Sequence, residues 1–239
     1  MIFKKTIHTA VKKKCTLLYL MGMTWHTKCM FDLDCDEPSF CDILNGHGIE
    51  TYAFDNSKND HSDTVNTAIQ LIREHEIDYI FAYSYGCRVV MDLLHSVDVK
   101  GIMLLDPIHV PNVQVPTEKT PMGSVVRKSD IDSVLTANSA QITAHVRAAH
   151  IAAVSDTDTL TIPTYMDRVL ETNPSPYEGR LSTLFARPCR LFLTRHCSQM
   201  VRQWRPEATT LYPNSSHWIM IEPGRYQLAE DVVQFISRV

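Results

Sequence analysis

The sequence has no surplus of positive charge: 23 Lys and Arg stand against 27 Asp and Glu, for a net charge of −4. A general nucleic-acid binder needs the opposite balance, because every phosphate it neutralises takes a cation. The short basic clusters Lys4-Lys5 and Lys12-Lys13-Lys14 read as solvated surface beside a strand. No apolar run approaches the ~20 residues that a membrane-spanning helix needs. The run from Cys15 to Met23 follows lysines, as in a secretory leader. It holds Thr16, Tyr19 and Gly22, however, and it leads into Trp25-His26 where small residues would be cleaved. It therefore reads as a buried strand.

Other signatures are also missing. The seven cysteines (15, 29, 35, 41, 87, 189 and 197) contain no Cys-x-x-Cys pair, so His26, Cys29, Cys35 and Cys41 make a poor zinc site. Their odd number, without a leader pattern, predicts thiols in a reducing compartment and a cytoplasmic location. Asp32-Leu33-Asp34-Cys35-Asp36 starts like a calcium loop, but Glu37 stands where that loop needs glycine and Ile43 where it needs glutamate. No glycine-rich phosphate loop, internal repeat or low-complexity tract is found.

What is present is an alternation of short apolar runs with longer amphipathic segments, which predicts a mostly parallel sheet covered by helices. The runs are Thr16–Leu20, Thr51–Phe54, Tyr79–Tyr83, Gly101–Leu105, Arg190–Leu193 and Thr209–Leu211. The third and fourth are almost wholly apolar, as strands buried on both faces should be. Helical spacing is read over Asp63–Glu76, Cys87–His95 and Gln227–Val239. From Val110 to about Ala186 no clear strand is read, while Ser129–Leu135, Ala140–Val154 and Thr164–Leu170 look helical. A stretch this long inside an α/β domain predicts an insertion, here a helical cap. The expected division is a core of residues 1–109 and 187–239 and a cap of residues 110–186.

The strongest local signal is Phe81-Ala82-Tyr83-Ser84-Tyr85-Gly86, where an apolar strand gives way to a helix. A tight strand-to-helix turn lifts a serine hydroxyl out of the sheet. It needs small residues two before and two after, here Ala82 and Gly86. The helix start, with the Tyr85 amide, then favours developing negative charge at the same spot. Cys87 lies three residues on and reads as core packing.

On these residues the sequence resembles the α/β-hydrolase superfamily over Cys15 to Val239. Ala82 stands where the family's G-x-S-x-G pattern has its first glycine. The resemblance implies the chain order serine, acid, histidine. His217, in Pro213-Asn214-Ser215-Ser216-His217-Trp218 before the last helix, is the expected base. Many family members carry the acid after the strand assigned here to Arg190–Leu193, but Thr194–Gln199 holds no carboxylate. A second placement, similar to thioesterase domains of fatty-acid and peptide synthases, follows the preceding strand and implies Asp106 as acid, with Glu207 in reserve. The oxyanion donors are expected at the amides of Tyr85 and Met23. Met21, Gly22, Trp25 and Trp218 are expected around the substrate.

The implied chemistry is acyl transfer to water on an ester or thioester, through an acyl-enzyme on Ser84. The substrate is a small acyl compound, free or linked to a carrier or coenzyme, and neither metal nor organic cofactor is needed. Two other readings keep the fold: a non-catalytic binding protein, and an acyltransferase using the same triad.

Overall fold

The structure, a computed structural model, describes residues 2–7, 11–22, 31, 36–56, 59–107, 118–120, 123–127, 130, 142–154, 159–163, 179–186, 201–202 and 204–238. Its framework is a sheet whose central strands are buried on both faces. Strands β1 (Ile2–Lys5), β2 (Cys15–Leu20), β3 (Ile49–Phe54), β4 (Tyr79–Tyr83) and β5 (Gly101–Leu105) are interleaved with helices α1 (Phe40–Gly46), α2 (His61–Glu74) and α3 (Tyr85–Leu93). Every residue of β2 to β5 is buried. Strands β9 (Leu181–Ala186) and β10 (Ala208–Tyr212) and helix α5 (Arg225–Ser237) complete this layer.

The seven-stranded sheet runs β1-β3-β2-β4-β5-β9-β10 and is parallel apart from β1, which pairs antiparallel with β3. The chain thus steps from β2 to β3 on one side, then crosses back over β2 to β4. Right-handed crossovers in opposite directions put α1 on one face and α2 on the other. Helix α3 packs with α2, and α5 packs with α1. The reversal opens a crevice at the carboxyl ends of β2 and β4, where ligands of open parallel sheets bind.

The strand between β5 and β10 is Leu181–Ala186, whereas Arg190–Leu193 lies outside the described residues. The sequence Leu-Ser-Thr-Leu-Phe-Ala hides a buried strand because two of its residues are polar. Ser182 donates to the Ala208 carbonyl, and the hydroxyls of Thr183 and Thr209 share a hydrogen bond, so both are satisfied across β9 and β10. Residues 181–186 therefore belong to the core sheet and not to a cap ending at 186.

The expected insertion is also not purely helical. Strands β6 (Glu118–Thr120), β7 (Gly123–Arg127) and β8 (Thr159–Pro163) form a separate antiparallel sheet, with β7 in the middle. The alternation Thr159-Leu160-Thr161-Ile162 carried that period-2 signal. Helix α4 (Ala144–Val154) falls within the segment expected to be helical. The helix expected over 129–135, apart from residue 130, and the one expected over 164–170 lie outside the described residues.

Candidate active site

The site is built where three chain segments leave the sheet. Ser84 follows β4 directly, at φ 56° and ψ −119°, a left-handed conformation that non-glycine residues rarely adopt. The strain is held by the surroundings: the Ser84 amide donates to the Leu105 carbonyl at 2.9 Å, and the Cys87 amide closes the turn onto the Ser84 carbonyl at 3.1 Å. Gly86 is required sterically. A Cβ there would collide with the carbonyl oxygens of Leu20 and Met21, the latter at 2.6 Å, so the start of α3 rests directly on the backbone at the end of β2. Gly22 presses against the same turn, since a Cβ on it would lie 3.1 Å from Ser84 Cβ.

Asp106 leaves β5 just as Ser84 leaves β4. Tyr83 and Leu105 are register partners, so the next residues emerge side by side. Asp106 also has positive φ, 43°. Its amide donates to the Leu184 carbonyl at 2.9 Å, and its Oδ1 accepts from the Ala186 amide at 3.0 Å. Strand β9 thus supplies an amide to a carboxylate offered by β5, and no Asp or Glu occurs from residue 187 to 206.

His217 reaches over from the segment after β10. Its Nδ1 lies 3.0 Å from Asp106 Oδ2, and its Nε2 lies 3.1 Å from Ser84 Oγ. A carboxylate only accepts, so Nδ1 carries the proton and Nε2 is left to accept from the serine hydroxyl. All three residues are buried, Asp106 completely. Two contacts hold the histidine backbone. Tyr83 donates its hydroxyl to the His217 carbonyl at 3.0 Å, and both Glu222 oxygens accept from the Ser216 amide at 3.1 Å. The Tyr83 and His217 rings also touch, with centroids 4.8 Å apart.

The other expected site residues fall in four places. Met21, Gly22 and Tyr85 are buried at the ends of β2 and β4, next to Ser84 in space or in sequence. Trp218 is fully buried and packs edge-on against His150 of α4, with ring centroids 3.8 Å apart. Met23 and Trp25 lie outside the described residues. Glu207, the reserve acid, is at the wrong end of the sheet. It precedes β10 and pairs with Arg180, which precedes β9, at 3.1 Å. Burial, with Asp106 adding to it, pushes the Cys87 thiol well above its ordinary value, and its Sγ lies 3.2 Å from the Ala82 carbonyl. Cys87 is a buried packing residue without the features that activate a thiol. Among the described residues no group of three or more His, Cys, Asp or Glu is arranged to hold a metal ion.

Tyr83, Glu222 and the Ala186 amide escaped the sequence reading. Glu222 left one trace, a lone charge after the apolar Trp218-Ile219-Met220-Ile221 and before Pro223-Gly224.

The parallel sheet, its switch point and the strained serine after β4 together decide the architecture. The chain has the α/β-hydrolase fold. Solved α/β-hydrolase-like structures superimpose on it over nearly its whole length. A monoacylglycerol lipase from Paleococcus ferrophilus matches with a TM-score of 0.70 at 13 % identity, covering 100 % of this chain and 99 % of that one. A methylesterase from Arabidopsis matches with a TM-score of 0.72 at 13 % identity, covering 95 % and 100 %. Tomato methylketone synthase I, complexed with 2-tridecanone, matches with a TM-score of 0.72 at 12 % identity, covering 95 % and 99 %. No protein-family model matches the sequence, and no curated protein matches it by sequence. Among the described residues, no helix of this α/β-hydrolase fold is long and apolar enough to cross a membrane.

Proposed function

We propose that the protein is a serine hydrolase of carboxylic esters, with Ser84 as nucleophile, His217 as general base and Asp106 as the orienting acid. The observation that carries this reading is the unbroken, buried chain Ser84–His217–Asp106, with the serine at a strained strand-to-helix turn. His217 Nε2 takes the hydroxyl proton as Ser84 Oγ attacks the ester carbonyl carbon. The amides of Tyr85 and Met23 receive the resulting oxyanion. The carbon–oxygen bond to the alcohol breaks, and His217 gives that alcohol the proton. Water then adds to the acyl-enzyme with His217 again as base, and the acid leaves. Asp106 keeps the proton on Nδ1 throughout and stabilises the imidazolium.

The substrate class is a small acyl ester. The structural neighbours named as a lipase and a methylesterase favour an oxygen ester. An acid after β5, similar to thioesterase domains, keeps a thioester of a carrier or coenzyme as the finer alternative. A cap contributed by the segment between β5 and β9, including α4, would select the acyl group. The protein acts in the cytoplasm, without metal or organic cofactor.

The test is labelling with a fluorophosphonate, which phosphonylates an activated serine, beside turnover of p-nitrophenyl esters and acyl thioesters. Ser84→Ala and His217→Ala should abolish labelling, and Asp106→Asn should lower kcat by about 10⁴-fold. A well-folded parent that neither labels nor turns over either substrate class would sink the proposal in favour of a binding protein.

A further inference from the structure

A second carboxylate–imidazole–hydroxyl chain stands beside the first. His61 opens α2, and its Nδ1 lies 2.6 Å from the hydroxyl of Tyr85, the residue after Ser84. Its Nε2 lies 2.6 Å from Asp92 Oδ2. Asp92 belongs to α3, as Tyr85 does, seven residues on, and Arg88 between them pairs with Asp92 at 2.9 Å. Positions 85, 88 and 92 lie on one face of a helix, and this face meets α2. His61 thus bridges two turns of the helix whose first amide belongs to Tyr85. The Asp92 carboxylate accepts from Nε2–H, so Nδ1 is the atom that accepts from the tyrosine. The two rings also meet edge to face, with centroids 5.8 Å apart.

We propose that His61, backed by Asp92, is a positioning residue for Tyr85: by tying down the tyrosine hydroxyl it keeps the Tyr85 amide aimed at the oxyanion. The inference rests on the hydrolase reading above. Mechanically, the tyrosine side chain is a rigid lever attached to the residue whose amide direction matters. The backbone just before it is strained at Ser84 and would relax if released. Tyr85 is buried, whereas His61 and Asp92 are partly exposed, with side-chain exposures of 17 % and 34 %. The anchor is therefore reachable by mutation without cutting into the core.

The experiment measures kcat and KM on a p-nitrophenyl ester, and the phosphonate labelling rate, for the full-length protein and four variants. His61→Phe keeps the ring contact and removes both hydrogen bonds. His61→Asn restores a polar atom near the Nδ1 position. Tyr85→Phe cuts the tie from the other end and leaves the His61–Asp92 pair intact. The fourth variant combines His61→Phe with Tyr85→Phe.

Complete loss of one oxyanion donor lowers kcat by about 10²–10³-fold, and a misaimed donor by less. We expect His61→Phe and Tyr85→Phe each to lower kcat by about tenfold or more with KM little changed. The double variant should be no worse than the worse single, because both remove the same tie. His61→Asn should recover most of the loss. Losses that multiply in the double variant overturn the inference, as does an unchanged kcat in folded His61→Phe or Tyr85→Phe. If His61→Phe does not fold, Tyr85→Phe alone decides. A reactive parent with insensitive variants removes only the positioning role; a parent inert to ester and phosphonate removes the hydrolase reading and this role with it.

Discussion

Both carboxylate oxygens of Glu222 converge on one amide, that of Ser216, the residue before His217. Glu222 is completely buried, so removing its side chain strands a buried N–H. Glu222→Leu should cost about 1–3 kcal/mol of stability, measurable by urea unfolding, and should lower kcat as the histidine backbone shifts. Glu222→Gln keeps one acceptor oxygen and should regain most of both. At this scale Ser84, Asp106 and His217 were legible because each follows a run recognisable as a strand or precedes one recognisable as a helix. Glu222, Tyr83 and His61 were not. Each acts through a partner 6 to 134 positions away, and nothing local to the side chain says which partner that is.

At the scale of elements, the turn between β4 and α3 is tightly constrained. The helix start rests on the backbone of β2 with no room for a Cβ at position 86. Gly86→Ala must push α3 off β2, and overpacking of this kind costs about 1–3 kcal/mol or more. Thermal unfolding should show that loss, and phosphonate labelling should fall with it because Ser84 and the Tyr85 amide move together. Strands β2, β4 and β5 were readable because burial on both faces demands unbroken apolar runs. Strand β9 was not, since its Ser182 and Thr183 find partners only once β10 lies alongside. The β6–β8 sheet was passed over because its strands are short and carry Thr, Ser and Lys.

The whole molecule separates its tasks between the two ends of the sheet. The serine, carboxylate and imidazole gather at the carboxyl ends of the strands. The amino ends are laced by polar contacts: Asp78 accepts from Lys100 Nζ at 2.7 Å and from the Thr16 amide at 2.8 Å, joining the starts of β2, β4 and β5. Partial burial pushes the Asp78 carboxyl up. Lys100 and the two Thr16 donors together outweigh it and hold it below its ordinary 3.8. A depressed carboxylate stabilises the fold above its unfolded value and loses that contribution as pH falls through its folded value. Asp78→Asn should therefore be less stable at neutral pH by about 1 kcal/mol, with the exposed Lys100 contributing little of it. The gap should close below about pH 4. Urea titrations of both proteins across that window check the sign, and activity should be unaffected because the change is a full strand length from Ser84.

The register of β4 and β5 has a further consequence. Because Ser84 and Asp106 emerge side by side from paired strands, the spacing of hydroxyl and carboxylate is settled before residue 107, and only the imidazole arrives later. The 75 residues between β5 and β9 carry no covalent responsibility for that spacing. The β5–β9 ladder returns the chain to the sheet beside β5, ahead of the segment that carries His217. The hydrogen bonds of the sheet, and not the length of that stretch, therefore fix how far apart the two groups stand.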